Sequence, residues 1–127
     1  MPSFAPLCAL QQLVWLNLGV LRSDDGSLAP ICGLQALRWL HVANLFSHEE
    51  FAALSLCLPR TRCSWFAPYV SLTGAFRCAE CREAQRVLTT GRPERILCPR
   101  CDERKFEAHM KQWRQAIAAA GGAHQSG

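Results

Sequence analysis

The sequence predicts an α/β chain: a short solenoid of parallel strands with turn or helix returns, then a small β unit held by a metal, then a C-terminal α-helix. Three observations predict it. Residues 4–18 recur at an offset of 24, and two Cys-x-x-Cys pairs stand sixteen residues apart. Beyond them, Phe106, Met110, Trp113 and Ile117 recur at four-, three- and four-residue steps in a stretch without proline or glycine. Helical periodicity places those four side chains on one stripe.

The repeat is read by writing Phe4-Ala-Pro-Leu7-Cys8-Ala-Leu10-Gln-Gln-Leu13-Val-Trp15-Leu16-Asn-Leu18 over Leu28-Ala-Pro-Ile31-Cys32-Gly-Leu34-Gln-Ala-Leu37-Arg-Trp39-Leu40-His-Val42. Pro6/Pro30, Cys8/Cys32, Leu10/Leu34, Leu13/Leu37, Trp15/Trp39 and Leu16/Leu40 are identities. Leu16-x-Leu18 and Leu40-x-Val42 alternate as short strands with one face inward. Leu7, Leu10, Leu13 and their counterparts, three apart, suit a return packed on the same core. A third copy is degraded, from Phe51-Ala-Ala-Leu54 through Pro59 to Cys63-Ser64-Trp65-Phe66. At an offset of 24 its inward pair is Ser64 and Phe66; a slip of one residue turns Cys63 and Trp65 inward instead.

A period inside ~20–29 residues with Leu-x-x-Leu-x-x-Leu-x-Leu resembles the leucine-rich repeat family, over roughly residues 4–70. The family's asparagine after the strand is missing, with Leu21 and Leu45 near its place. The resemblance implies a concave sheet whose outward row holds Trp15, Asn17 and Gly19, then Trp39, His41 and Ala43, then Cys63, Trp65 and Ala67. Repeats bury their apolar faces only against neighbours. Two good copies with no polar cap before the first therefore lead us to expect the C-terminal end of a longer repeat protein, or self-association through the open first face.

The second half reads Cys78-Ala-Glu-Cys81, then Cys98-Pro-Arg-Cys101. Two residues between thiolates let a tight turn aim both sulfurs at one metal, and two such turns complete a tetrahedron. Gln85–Thr90 reads as a strand, Gly91-Arg-Pro93 as a turn and Glu94–Leu97 as the returning strand. By its spacing this stretch resembles a zinc ribbon over about residues 76–105. One structural Zn2+ is expected on Cys78, Cys81, Cys98 and Cys101. Four sulfur ligands leave no open position for substrate, and no βαβ pattern supports a redox role for either pair. Cys8, Cys32, Cys57 and Cys63 sit among leucines and read as small buried hydrophobes. With no convincing secretory leader, a reducing cytosol is the expected compartment. Pro2, Pro6, Gln11, Gln12 and Asn17 interrupt the first apolar run, against a membrane helix.

The expected organisation is residues 1–72 as repeats, 73–102 as the ribbon, 103–120 as a helix ended by Gly121-Gly122, and 121–127 as a disordered tail. The helix stripe is expected to pack on the ribbon or the last repeat. Half of the residues are hydrophobic and 19% charged, ordinary for a folded chain. The net charge of +4 comes wholly from the part after Leu72, since Arg22, Arg38, Arg60 and Arg62 balance Asp24, Asp25, Glu49 and Glu50. Those paired acids read as solvated loops.

No phosphate loop, nucleophile elbow or paired carboxylates appear, and His41, His48, His109 and His124 lack catalytic or metal spacing. The chain is therefore expected to be a protein-binding module and not an enzyme, with Trp15, Asn17, Trp39, His41 and Trp65 as the binding row. The alternative is nucleic-acid binding through the ribbon, using Arg77, Arg82, Arg86, Arg92, Arg95 and Arg100 with Phe76 nearby. Interleaved Glu80, Glu83, Glu94, Asp102 and Glu103 weigh against it.

Overall fold

The computed structural model describes residues 3–72, 78–82 and 84–125. Chain order is a 3-10 turn Ala5–Ala9, strand β1 (Trp15–Gly19), a second 3-10 turn Ala29–Gly33, strand β2 (Trp39–Val42), helix α1 (His48–Cys57), strands β3 (Tyr69–Ser71), β4 (Val87–Thr89) and β5 (Ile96–Leu97), and helix α2 (Glu103–Gln125). The chain is thus a small mixed α/β structure. A two-stranded parallel sheet joins β1 to β2, and a three-stranded antiparallel sheet runs β3-β4-β5.

The 24-residue offset appears directly in the parallel register, with Trp15 beside Trp39, Leu16 beside Leu40 and Asn17 beside His41. Both 3-10 turns carry proline near their first positions, where its missing N–H costs nothing. The second copy is the better buried. Leu34 and Leu37 are fully buried, whereas Leu10 is 47% exposed and Leu13 only partly covered. Neighbours on both sides explain the difference, because α1 and its following loop cover the second copy from beyond.

In the third copy α1 replaces the 3-10 turn. Ser47 caps it, its hydroxyl accepting from the Glu50 N–H. The Glu50 carboxylate reaches back to accept from Leu28 N–H at 2.7 Å, so this acid is not part of a solvated loop. Arg62 N–H donates to Arg38 O and Leu40 N–H donates to Arg62 O, which sets Arg62 opposite Trp39. The register has therefore slipped by one residue. Cys63 and Trp65 turn toward the core, and the Trp65 ring NH donates to Val42 O at 2.8 Å. Thr61 stands where the earlier copies have leucine, and its hydroxyl donates to Leu37 O.

The expected free thiols at Cys32 and Cys57 are instead a disulfide, with Cα atoms 5.3 Å apart. The second 3-10 turn and the end of α1 bring the two residues side by side. Cys8, at the equivalent place of the first copy, is exposed, not buried. Cys8, Cys32 and Cys57 thus depart from the buried free thiols expected of them. Among the described residues no helix is long and apolar enough to cross a membrane.

The antiparallel sheet is bound tightly to this repeat core. Buried Asn44 donates to Thr89 O at 2.9 Å and accepts from Gly91 N–H at 2.6 Å. Gly91 has a φ of +94°, and a Cβ placed there would lie 2.4 Å from the backbone nitrogen of His48. Only glycine fits that approach. Helix α2 lies against α1 and the sheet, with Trp113 buried, Ala116 and Ile117 packed on the core, and Phe106 edge-on to Tyr69 at 5.3 Å. It passes through Gly121-Gly122 to Gln125, beyond the expected stop at residue 120. Gly121 faces Leu56 of α1, and tertiary contact offsets the cost of about 1 kcal/mol that a glycine imposes on a helix interior.

Candidate metal centre and exposed strand face

Cys78 and Cys81 lie on a turn in which Cys78 N–H donates to Ala84 O and Arg82 N–H donates back to Cys78 O. Arg82 takes a left-handed φ of 57°, which closes the turn and leaves both sulfurs on one side. The second turn follows β5 directly. Cys98 N–H donates to the Asp102 carboxylate at 2.9 Å, Asp102 N–H donates to Cys98 O, and Cys101 N–H points at Cys98 Sγ. Asp102 O then accepts the first bond of α2 from Phe106 N–H, so the long helix fixes this turn.

The two turns bring all four sulfurs within 4.8 Å of one another. Cys78 Sγ lies 3.8 Å from Cys101 Sγ, and Cys81 Sγ 3.7 Å from Cys98 Sγ, too far apart for disulfides. The set can hold one metal ion. Backbone N–H groups of Cys81 and Glu80 directed at Cys78 hold its thiol below the ordinary value, and the Ala84 N–H does the same for Cys81. Cys101 is pushed up to about 12, first by its hydrogen bond to Cys78 and then by burial.

The row expected on the strand face is partly as read from the sequence. Trp15, Asn17, Trp39 and His41 are all exposed on the same side of the parallel sheet, with Trp15 54% and Trp39 45% accessible. The rings of Trp15 and His41 are 5.8 Å apart. The Asn17 side chain accepts from Gly19 N–H and so shapes the strand end. Trp65 does not belong to the row: it packs inward against Phe51, and exposed Arg62 takes the place beside Trp39. Sequence reasoning missed Arg62 because the slip that puts it there leaves the apolar pattern equally satisfied. It also missed the Cys32–Cys57 pair, for which near-equal spacing of Cys8, Cys32 and Cys57 is the only signal.

In the alternative basic surface, Arg82, Arg92, Arg95 and Arg100 are exposed, while Arg86 is half-buried. Phe76, Arg77 and Glu83 lie outside the described residues. Comparison with protein-family models, curated proteins and solved structures finds no match to this chain.

Proposed function

We propose that the chain is a protein-binding module built on leucine-rich repeats, whose binding face is the exposed side of the parallel sheet and whose C-terminal end is a zinc ribbon. The observation that carries the reading is the pair Trp15 and Trp39, in register on adjacent strands and each about half exposed. Adjacent parallel strands lie ~4.8 Å apart, so the two indoles present one continuous apolar area on a hydrogen-bonded frame. Rigid aromatic surface binds a partner with little loss of side-chain freedom, and Trp is enriched among residues that dominate binding energy. His41 and Arg62 add polar atoms at the rim of that area.

Zinc is the metal that suits four thiolates in a closed set. A tetrahedron with Zn–S bonds of ~2.3 Å has sulfur–sulfur edges of ~3.8 Å, and two edges of this cluster measure 3.8 and 3.7 Å. The ion's place is structural: it ties the loop before β4 to the start of α2, and α2 in turn packs on α1.

The test compares the wild-type chain with Trp15→Ala/Trp39→Ala as tagged baits. The expected result is an unchanged cooperative melt together with loss of a partner that the wild type retains, corresponding to about 2 kcal/mol or more of affinity. Equal retention by both baits removes the strand face from consideration. A variant that loses its melt before any partner is present shows that the tryptophans belong to the core.

A further inference from the structure

A cavity of about 430 Å³ lies between the loop joining β4 to β5 and the first half of α2, and none of the four clustered cysteines lines it. It has no part in the strand-face reading. The loop supplies Arg92 and Arg95, α2 supplies Arg104 and Lys105, and His48 and His109 close one end. Arg104, Lys105, Ala108 and Gln112 stand at one, four and seven-to-eight residue steps, so they share one face of α2. Ala108, with its short side chain, is part of the lining.

No carboxylate lines this cavity. One neighbour, Glu94, lies 3.5 Å from Arg92, and another, Glu49, lies 3.2 Å from His48. The side chains of Arg95, Arg104 and Lys105 have no acidic partner among the described residues. Three cations that line one concavity without an acidic partner among the described residues repel one another. Several other polar groups of the lining are already used: Thr90 Oγ1 donates to Ala67 O, Thr89 Oγ1 accepts from Arg95 N–H, and His109 Nε2 bonds Pro68 O, which leaves the Gln112 amide beside the cations. The cavity thus presents cationic donors and no free carboxylate.

We propose that this cavity binds a phosphate monoester. A monoester carries a charge of about −1.5 to −2 near neutral pH and three acceptor oxygens, which matches several converging cations better than a single carboxylate does. A diester backbone carries less charge per phosphate. A nucleic-acid strand also needs aromatic platforms for its bases, and no Phe, Tyr or Trp lines the cavity. The volume suits one small group, within the range of ordinary ligand sites and too compact for a strand.

The monoester can be a phosphorylated side chain of a peptide or a nucleoside monophosphate, and titration of the metal-loaded chain separates the two. Acetate, inorganic phosphate, a phosphoserine peptide with its unphosphorylated counterpart, a nucleoside monophosphate and single-stranded RNA are each added, followed by backbone amide shifts. Saturable shifts at Arg95, Arg104 and Lys105 with either ester, tighter than with acetate, are the expected result, and the tighter ester names the source. Arg95→Gln/Arg104→Gln should weaken that ester by at least about tenfold. Both side chains are exposed, so the variant should keep its melt. Ala108→Leu, which adds bulk to the lining and leaves every charge in place, should weaken it too. Three results overturn the proposal: no saturable shift with either ester, tighter binding of RNA than of both esters, or unchanged ester affinity in both variants.

Discussion

Breaking the Cys32–Cys57 disulfide should lower the stability of the whole chain by an amount that can be estimated beforehand. The bond closes a loop of 25 residues. In the chain-entropy treatment, a loop of that length removes about 12 cal/mol/K from the unfolded ensemble, or about 3.5 kcal/mol at 25 °C. Little is lost in packing, because both sulfurs are only partly buried and the Gln35 amide, which donates to both Cys32 O and Cys57 O, keeps the two backbones together. Unfolding 127 residues carries an entropy of roughly 0.27 kcal/mol/K, so that loss corresponds to a fall of about 13 °C in melting temperature. The assay is calorimetry of the wild type against Cys32→Ala/Cys57→Ala, with a thiol count on the denatured, metal-free wild type. Six reactive thiols are expected, those of Cys8, Cys63, Cys78, Cys81, Cys98 and Cys101. A count of eight, or a double variant that melts with the wild type, refutes the reasoning.

What was legible in the sequence was what local pattern determines. The parallel pairing of β1 with β2 followed from identical residues at a fixed offset, because strands carrying the same inward leucines stack in register. The cysteine cluster followed from two turns, each short enough to specify its own geometry. The register of the third copy was illegible for a definite reason. Ser64 with Phe66 and Cys63 with Trp65 are equally plausible inward pairs, and the choice falls to Trp65 reaching Val42 O and Thr61 reaching Leu37 O. Those are contacts to another copy, which no window of the third can display.

The same limit explains the other differences. A disulfide depends on the distance between Cα atoms, and leucines around Cys32 and Cys57 carry no information about that distance. The end of α2 was placed at Gly121 on intrinsic propensity, yet its approach to Leu56 decides the matter. Tyr69–Ser71 precedes the compositional change near residue 72 and still pairs with β4, since sheet pairing ignores where composition shifts. The cationic cavity needed the fold as well. Arg92, Arg95, Arg104 and Lys105 are interleaved with acids along the chain, and only the packing of loop on helix brings the four cations to one cavity.

Three further outcomes follow from the geometry. Metal analysis should find one equivalent of zinc per chain, and a chelator or Cys78→Ser should unfold the ribbon, since binding energy at such a site is folding energy; substantially less than one equivalent with the thiols reduced would show that the cluster does not hold the ion. Gly91→Ala should cost about 2 kcal/mol or more, because the added methyl meets the His48 backbone and the residue must keep a left-handed φ; a melt equal to the wild type would mean that the loop can move aside. The last concerns Cys63, whose thiol is pushed from 9.0 up to about 11, chiefly by burial against the core. The folded chain keeps that proton when the unfolded chain has lost it. Stability from this group is therefore intact below pH 9 and falls between about pH 9 and 11, by up to about 2–3 kcal/mol. Other cysteines, tyrosine and lysines titrate in the same window, so the informative quantity is the difference between the wild type and Cys63→Ala. That difference should shrink as the pH rises through the window, and in the folded state Cys63 should resist alkylation under mildly alkaline conditions that modify exposed Cys8. A difference that stays constant with pH, or alkylation of Cys63 as fast as of Cys8, would show that the third copy does not bury this thiol and that its register is not the slipped one.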